Sequence, residues 1–263
     1  MLSACSSRLV YNNADYLVKW WVGKYIDFND QQQQTVDSTI DRWLSWHRQS
    51  QIPLYQAQLQ TLRAQVSQQS LNREAILAHF ADSNQHIDTL REYVAPDVAK
   101  IGMTLDLDQL SQLFATIKHE RAERQDEYQQ RSQAASSRVD RITERMAEYI
   151  GAVTPQQVEI IRRYEAQFNY TYPMWQAYGD ASNQRARSIL LSASFNPNAV
   201  QQMQQFVIDQ SSLQSPELQQ ASQANKDLYI DMLWAIFSTL SSSQRAELVD
   251  KIDEYLSLLE AIG

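Results

Sequence analysis

The chain has 263 residues with five Gly, six Pro and 34 Gln, a net charge of −8, and 43% hydrophobic residues. Gly and Pro make up about 4% of it against about 12% in an ordinary protein, which excludes sandwiches, barrels and Gly-rich phosphate loops and predicts an all-α fold. The acidic balance disfavours a general nucleic-acid binder, the single Cys excludes a disulfide framework, and no run approaches the roughly 20 apolar residues that cross a bilayer.

The chain opens Met1-Leu2-Ser3-Ala4-Cys5-Ser6-Ser7. Taken alone, this is a run of small residues beside a free thiol. Leu2 to Cys5 resembles the bacterial lipobox, which is cleaved before a lipid-modified Cys. The resemblance implies that Cys5 carries a diacylglyceryl thioether and an acylated amine, the palmitate-type lipid being the only cofactor-like group expected. It further implies a signal peptide upstream and, with Ser6 rather than Asp after the Cys, delivery to the periplasmic face of an outer membrane. Two or three acyl chains anchor stably, since each buried methylene contributes about 0.8 kcal/mol. The stretch from Cys5 through Arg8-Leu9-Val10-Tyr11-Asn12-Asn13 is similar to the start of an uncharacterised family of proteobacterial lipoproteins. Next comes an aromatic helix with Tyr16, Trp20, Trp21 and Tyr25. Its rings either pack on the body or sit at a membrane interface, and core packing is the expected outcome.

A short pattern then recurs, an apolar residue, a capping residue, two residues and Gln. It occurs at Phe28-Asn29 with Gln32, Leu105-Asp106 with Gln109, Val153-Thr154 with Gln157 and Leu240-Ser241 with Gln244. Asn, Asp, Thr and Ser are N-cap residues, and Gln three positions later closes a capping box. The apolar residue serves as a hydrophobic staple. Tyr25-Ile26 and Tyr149-Ile150 precede the first and third copies, 124 residues apart, as two related halves would require. The pattern resembles the Leu-Thr-x-x-Gln motif of periplasmic proteins of the Spy and CpxP type, which implies helical cradles that bind unfolded clients. The acidic balance departs from the basic concave surface that resemblance carries.

Between these starts the periodicity is helical. Val36, Ile40, Trp43, Leu44 and His47 share a face, as do Leu248, Ile252, Tyr255, Leu256 and Leu259. Pro53 is expected to open a helix, and Ala75 to Tyr93 to form one that Pro96 interrupts. A long polar helix is predicted from about Asp106 towards Tyr149, exposed throughout or broken near Ala134-Ala135-Ser136-Ser137, and joining the halves. Pro155 marks a helix start, Pro173 an interruption, and helices follow Pro197 and Pro216. The expected organisation is a multi-helix protein of two cradle-like halves, with residues 1–12 as anchor tether, 13–148 as the N-terminal half with the linking helix, and 149–263 as the C-terminal half.

Catalytic and metal patterns are missing. His79, Asp82 and His86 share one helical face, but the favoured reading is a polar surface rather than a metal site. His47 reads as a core or groove residue. No nucleophile elbow and no Cys–His pair is present. The aromatic run holding Phe168, Tyr170, Tyr172, Trp175 and Tyr178 is either a kinked helix packed on both faces or a partner-binding groove. The functional expectation is a lipid-anchored, non-enzymatic periplasmic binding protein, a client holder or an accessory of an envelope machine. It would bind the membrane through its anchor and envelope proteins or unfolded clients through its body, without nucleic acid or metal. The alternatives are a structural scaffold and an envelope hydrolase.

Overall fold

A computed structural model describes residues 14–133 and 137–263, and every regular element among them is a helix. Cys5 and the anchor tether lie outside the described residues, as do Ala134, Ala135 and Ser136. The helices are α1 (Ala14–Gly23), α2 (Asp30–Trp46), α3 (Ile52–Ser67), α4 (Arg73–Gly102), α5 (Leu107–Gln133), α6 (Arg138–Ile150), α7 (Pro155–Glu165), α8 (Tyr172–Leu191), α9 (Ala199–Ile208), α10 (Pro216–Phe237) and α11 (Ser242–Ile262).

Proline acts differently from expectation at two places, Pro96 and Pro173, whereas Pro53 stands in the first turn of α3 as expected. A π-turn, His47–Gln51, carries α2 into α3, with the Ile52 N–H bonded to the His47 carbonyl. The wider turn relieves the clash that a proline ring makes with the carbonyl four residues earlier. Pro96 does not interrupt its helix. It lies inside α4, where Ala95 and Ala99 are both fully buried and α9 packs along the helix. Tertiary packing there outweighs the lost hydrogen bond. Pro173 stands in the first turn of α8, where its missing N–H is no loss, so it marks a start and not an interruption.

The α3–α4 connection shows how a Gly-poor chain turns. Gln69 takes the left-handed conformation at φ +57°, and the Ser70 N–H returns to the Gln65 carbonyl in a Schellman-type cap usually given to Gly. The resulting hairpin is long, since α4 alone spans about 45 Å. Two apolar cores form along it. One gathers Ala99 and Leu110 with Ile189, Leu190, Ala199 and Met203. The other gathers Val66, Leu71 and Ile76 with Met146, Ile150, Ile161, Ile230, Ile236 and Ile252. Each core draws on both sides of residue 148, and that boundary falls within α6. The halves therefore interlock. Arg63 on α3 forks onto Asp253 on α11, and Arg73 on α4 bonds Asp231 on α10. The predicted linking helix consists of α5 and α6, the latter capped by Ser137 and packed on α7 and α11.

Candidate functional site

The four helix starts form two matched pairs. Each capping box is closed as predicted, the Gln side chain accepting from the cap N–H and the cap side chain accepting from the Gln N–H. The Gln amides then meet across the fold. Gln157 and Gln244 exchange two hydrogen bonds at 2.9 Å each. Gln32 and Gln109 do the same at 3.2 and 2.7 Å. The remaining N–H groups repeat the register. Gln109 and Gln244 donate to the carbonyls of Asp27 and Ala152, and Gln32 and Gln157 turn to Thr104 and Thr239. Each of these four partners stands two residues before a cap. All four Gln are buried, Gln157 completely. The staple residues Leu105 and Val153 pack on the two cores, Leu240 is buried in one, and Phe28 is half-buried. These residues hold the fold, and Asn29, Gln32 and Thr104 also border a cleft of about 320 Å³.

An open groove of about 490 Å³ lies between the C-terminal part of α5, α6, the loop before α8, and α10. Three of the five aromatic candidates line it: Tyr170, Tyr172 and Trp175. Phe168 lies behind them with the Arg138 guanidinium 5.2 Å from its ring centre. Tyr178 points elsewhere, its hydroxyl donating to the Gln210 carbonyl at 2.8 Å and its ring edge-on to Trp175.

Several residues hold this wall in place. Asn169 bonds Asn225 on α10 through both backbone and side chain, which pins the loop. Arg121 on α5 reaches α8 through the Gln176 carbonyl and Asp180, each at 2.9 Å. Its guanidinium lies so close over Gly179 that any Cβ there would collide with it. Tyr128 on α5 stacks on Tyr172, ring centres 3.6 Å apart and planes 4° from parallel. Burial, and secondly a hydrogen bond with Tyr170, pushes the Tyr128 phenol above its ordinary value. Burial does the same to Tyr229. Both therefore stay neutral at physiological pH. The Tyr172 hydroxyl is buried without a hydrogen-bond partner.

The opposite wall is basic. Arg138, Arg141 and Arg145 stand at i, i+3 and i+7 on α6 with Ile142 and Met146 beside them, and the lining contains no Asp or Glu. Sequence reasoning missed the Arg stripe, although its helical spacing was a usable signal. It also missed Tyr128 and Tyr229, which arrive from distant helices and had none. The groove offers guanidinium groups, phenols and an indole, with no His, Cys, Asp, Glu or Lys in its lining. It is equipped to hold an anionic, partly aromatic ligand.

The other candidates separate. His79 pairs with Gln65 at 2.9 Å and His86 with Gln58 at 3.0 Å, both between α4 and α3, and Asp82 is exposed. No three His, Cys, Asp or Glu among the described residues are grouped to hold a metal ion. His47 is half-buried against Tyr55, which also meets the His86 ring. The aromatic helix departs from core packing: Tyr16, Trp20 and Trp21 are 65%, 55% and 54% exposed. A ten-residue helix lying on α2 has room to bury only one narrow face. No helix of the described residues is long and apolar enough to cross a membrane.

No curated protein and no solved structure matches the chain. A family model does match, over residues 24–219, a span that takes in the Gln pairs' first three members and all of the groove except Tyr229. The chain belongs to that family, the family of unknown function DUF6279.

Proposed function

We propose that this chain is a lipid-anchored, non-enzymatic binding protein of the bacterial envelope that holds an acidic, aromatic-containing polypeptide segment in the groove beside α6. The observation that carries the reading is the lining itself: three Arg on one helix face opposite Tyr170, Tyr172 and Trp175, with no Asp or Glu among the lining residues and Glu165 and Glu148 outside it, each 3.8 Å from Arg138 or Arg145, in a chain of net charge −8. Arg clusters recognise carboxylates through charge-assisted forks, and Tyr, Trp and Arg dominate polypeptide interfaces. Asn169 and Thr171 supply polar contacts for a bound backbone. The lining lacks His, Cys, Asp, Glu and Lys, so it has no general base, which favours holding over hydrolysis. A local basic wall also answers the objection that the acidic overall balance raises against the cradle-type resemblance.

The proposed location, the periplasmic face of an outer membrane, rests on the lipobox resemblance at Cys5. Its test is mass spectrometry of the precursor expressed in a Gram-negative host. Diacylglyceryl and acyl masses on Cys5 support the anchor, and an unmodified Cys5 rules it out. The binding role is tested by fluorescence anisotropy with a labelled peptide of Asp, Glu, Phe and Leu residues. Saturable binding that weakens with salt supports the groove, and equal affinity for a Lys-substituted peptide contradicts it.

A further inference from the structure

At the other core, beneath α1, lies an open cleft of about 290 Å³ walled by α1, α2, α4 and α5. Its chemistry is the reverse of the groove's. Val36, Ile40, Val98 and Leu113 face it, with Trp21 and Trp43 at its sides. The Thr39 hydroxyl is the one polar side-chain group there apart from the two indole N–H groups, and that of Trp43 is bonded to Asp97. Protein interiors are close-packed, and an apolar cavity of about 150 Å³ already takes a benzene-sized ligand, so this cleft has room for a straight chain of roughly eight to ten carbons.

A second, independent feature points to the same chemistry. Trp21 and Val22 close one side of the cleft, while Tyr16, Leu17 and Trp20 stand exposed on the same ten-residue helix. The Lys24 ammonium lies 5.3 Å from the centre of the Trp20 ring. Tyr and Trp beside a cation form the side-chain set favoured at a bilayer interface. The chain enters α1 directly from residues 1–13, which include Cys5.

We propose that the cleft beneath α1 is a lipid site that accepts a single acyl chain, with the exposed aromatic face of α1 resting at the bilayer interface from which that chain enters. The lining contacts only hydrocarbon, so the head group remains at the mouth. Acylation of Cys5 is not required, and the inference stands or falls separately from the peptide groove.

The test uses the full chain carrying Cys5→Ser and 1-alkanols from hexanol to tetradecanol. These probes are uncharged, so the Arg-lined groove has no electrostatic hold on them. Binding is read by tryptophan fluorescence and by native mass spectrometry. The expected result is one alkanol per chain, with affinity rising about three- to fourfold per methylene and levelling off near ten carbons. Val98→Trp fills the cleft and abolishes binding. Trp21→Phe with Trp43→Phe removes the fluorescence response while one-to-one binding persists, and Trp175→Phe leaves the response intact. That reporter arm decides the question even if Val98→Trp fails to fold. Absence of saturable binding, a gain with chain length that never levels, or a response that survives loss of Trp21 and Trp43 overturns the proposal.

Discussion

Gln157 and Gln244 stand 87 residues apart, and each donates its side-chain amide to the other's carbonyl at 2.9 Å. Each oxygen also accepts from the N–H of its own helix cap, Thr154 or Ser241. Two helix starts are thereby joined through one buried cluster. Gln157→Ala leaves one buried Gln244 amide N–H without its acceptor, the other keeping the Ala152 carbonyl, removes the acceptor of the Thr154 N–H and leaves a cavity. The expected loss is about 2–4 kcal/mol in urea unfolding, or a fall of roughly 5–12 °C in Tm. Gln244→Ala added to it is expected to cost less than the sum of the two single changes, because one bond pair is shared.

Pro96 gives a prediction opposite to that of a helix stop. Inside continuous α4 it denies the Glu92 carbonyl its intrahelical donor. Pro96→Ala restores that bond and is expected to stabilise the protein by about 1 kcal/mol in the same assay. If Pro96 ended a helix, the substitution would leave stability unchanged or lower it.

His47 and His79 set an acid limit. Burial is the main cause holding both rings below the ordinary histidine value of about 6.5, with the Arg48 charge adding to the effect at His47 and the Asp82 charge opposing it at His79. The neutral ring is favoured in the fold, so the unfolded chain takes up protons first. Stability is full above about pH 6.5 and falls as pH drops from there towards the folded values. The carboxylates of Asp140 and Asp253, held low by Ser137 and Arg63, act only in a more acidic range, below about pH 4. Tm is expected to fall between pH 7.5 and pH 5.5, and His47→Gln with His79→Gln to flatten that slope.

What could be read from the sequence was local. The capping boxes at Asn29, Asp106, Thr154 and Ser241 lie within four residues each, and the helices follow from their 3.6 period. The Gln pairing was invisible because its members are 77 and 87 residues apart, and the box appeared to account for the Gln fully. Tyr170, Tyr172 and Trp175 stood out as an aromatic run. Their partners Tyr128 and Tyr229 come from other helices, where an isolated Tyr carries no mark. Trp20 and Trp21 misled, because size and apolarity predict burial and only the fold shows that α1 has a single supporting neighbour side on α2. The boundary at residue 148 was read from a repeat of starts, and starts do not reveal that α3 packs on α11 and α4 on α9.

The central claim is that the Arg and aromatic walls of the groove together hold an acidic polypeptide segment. The most direct measurement is the dissociation constant of the labelled Asp/Glu/Phe/Leu peptide for the full chain, for Arg141→Glu with Arg145→Glu, and for Trp175→Ala. Circular dichroism confirms folding in each case. The account predicts at least a tenfold loss of affinity on charge reversal, as expected when charge-assisted bonds worth about 1.5–3 kcal/mol become repulsive. It also predicts a clear loss at Trp175→Ala, and a wild-type affinity that weakens from about 0.05 M to about 0.3 M salt. Folded variants that bind the peptide as tightly as the wild type would contradict it.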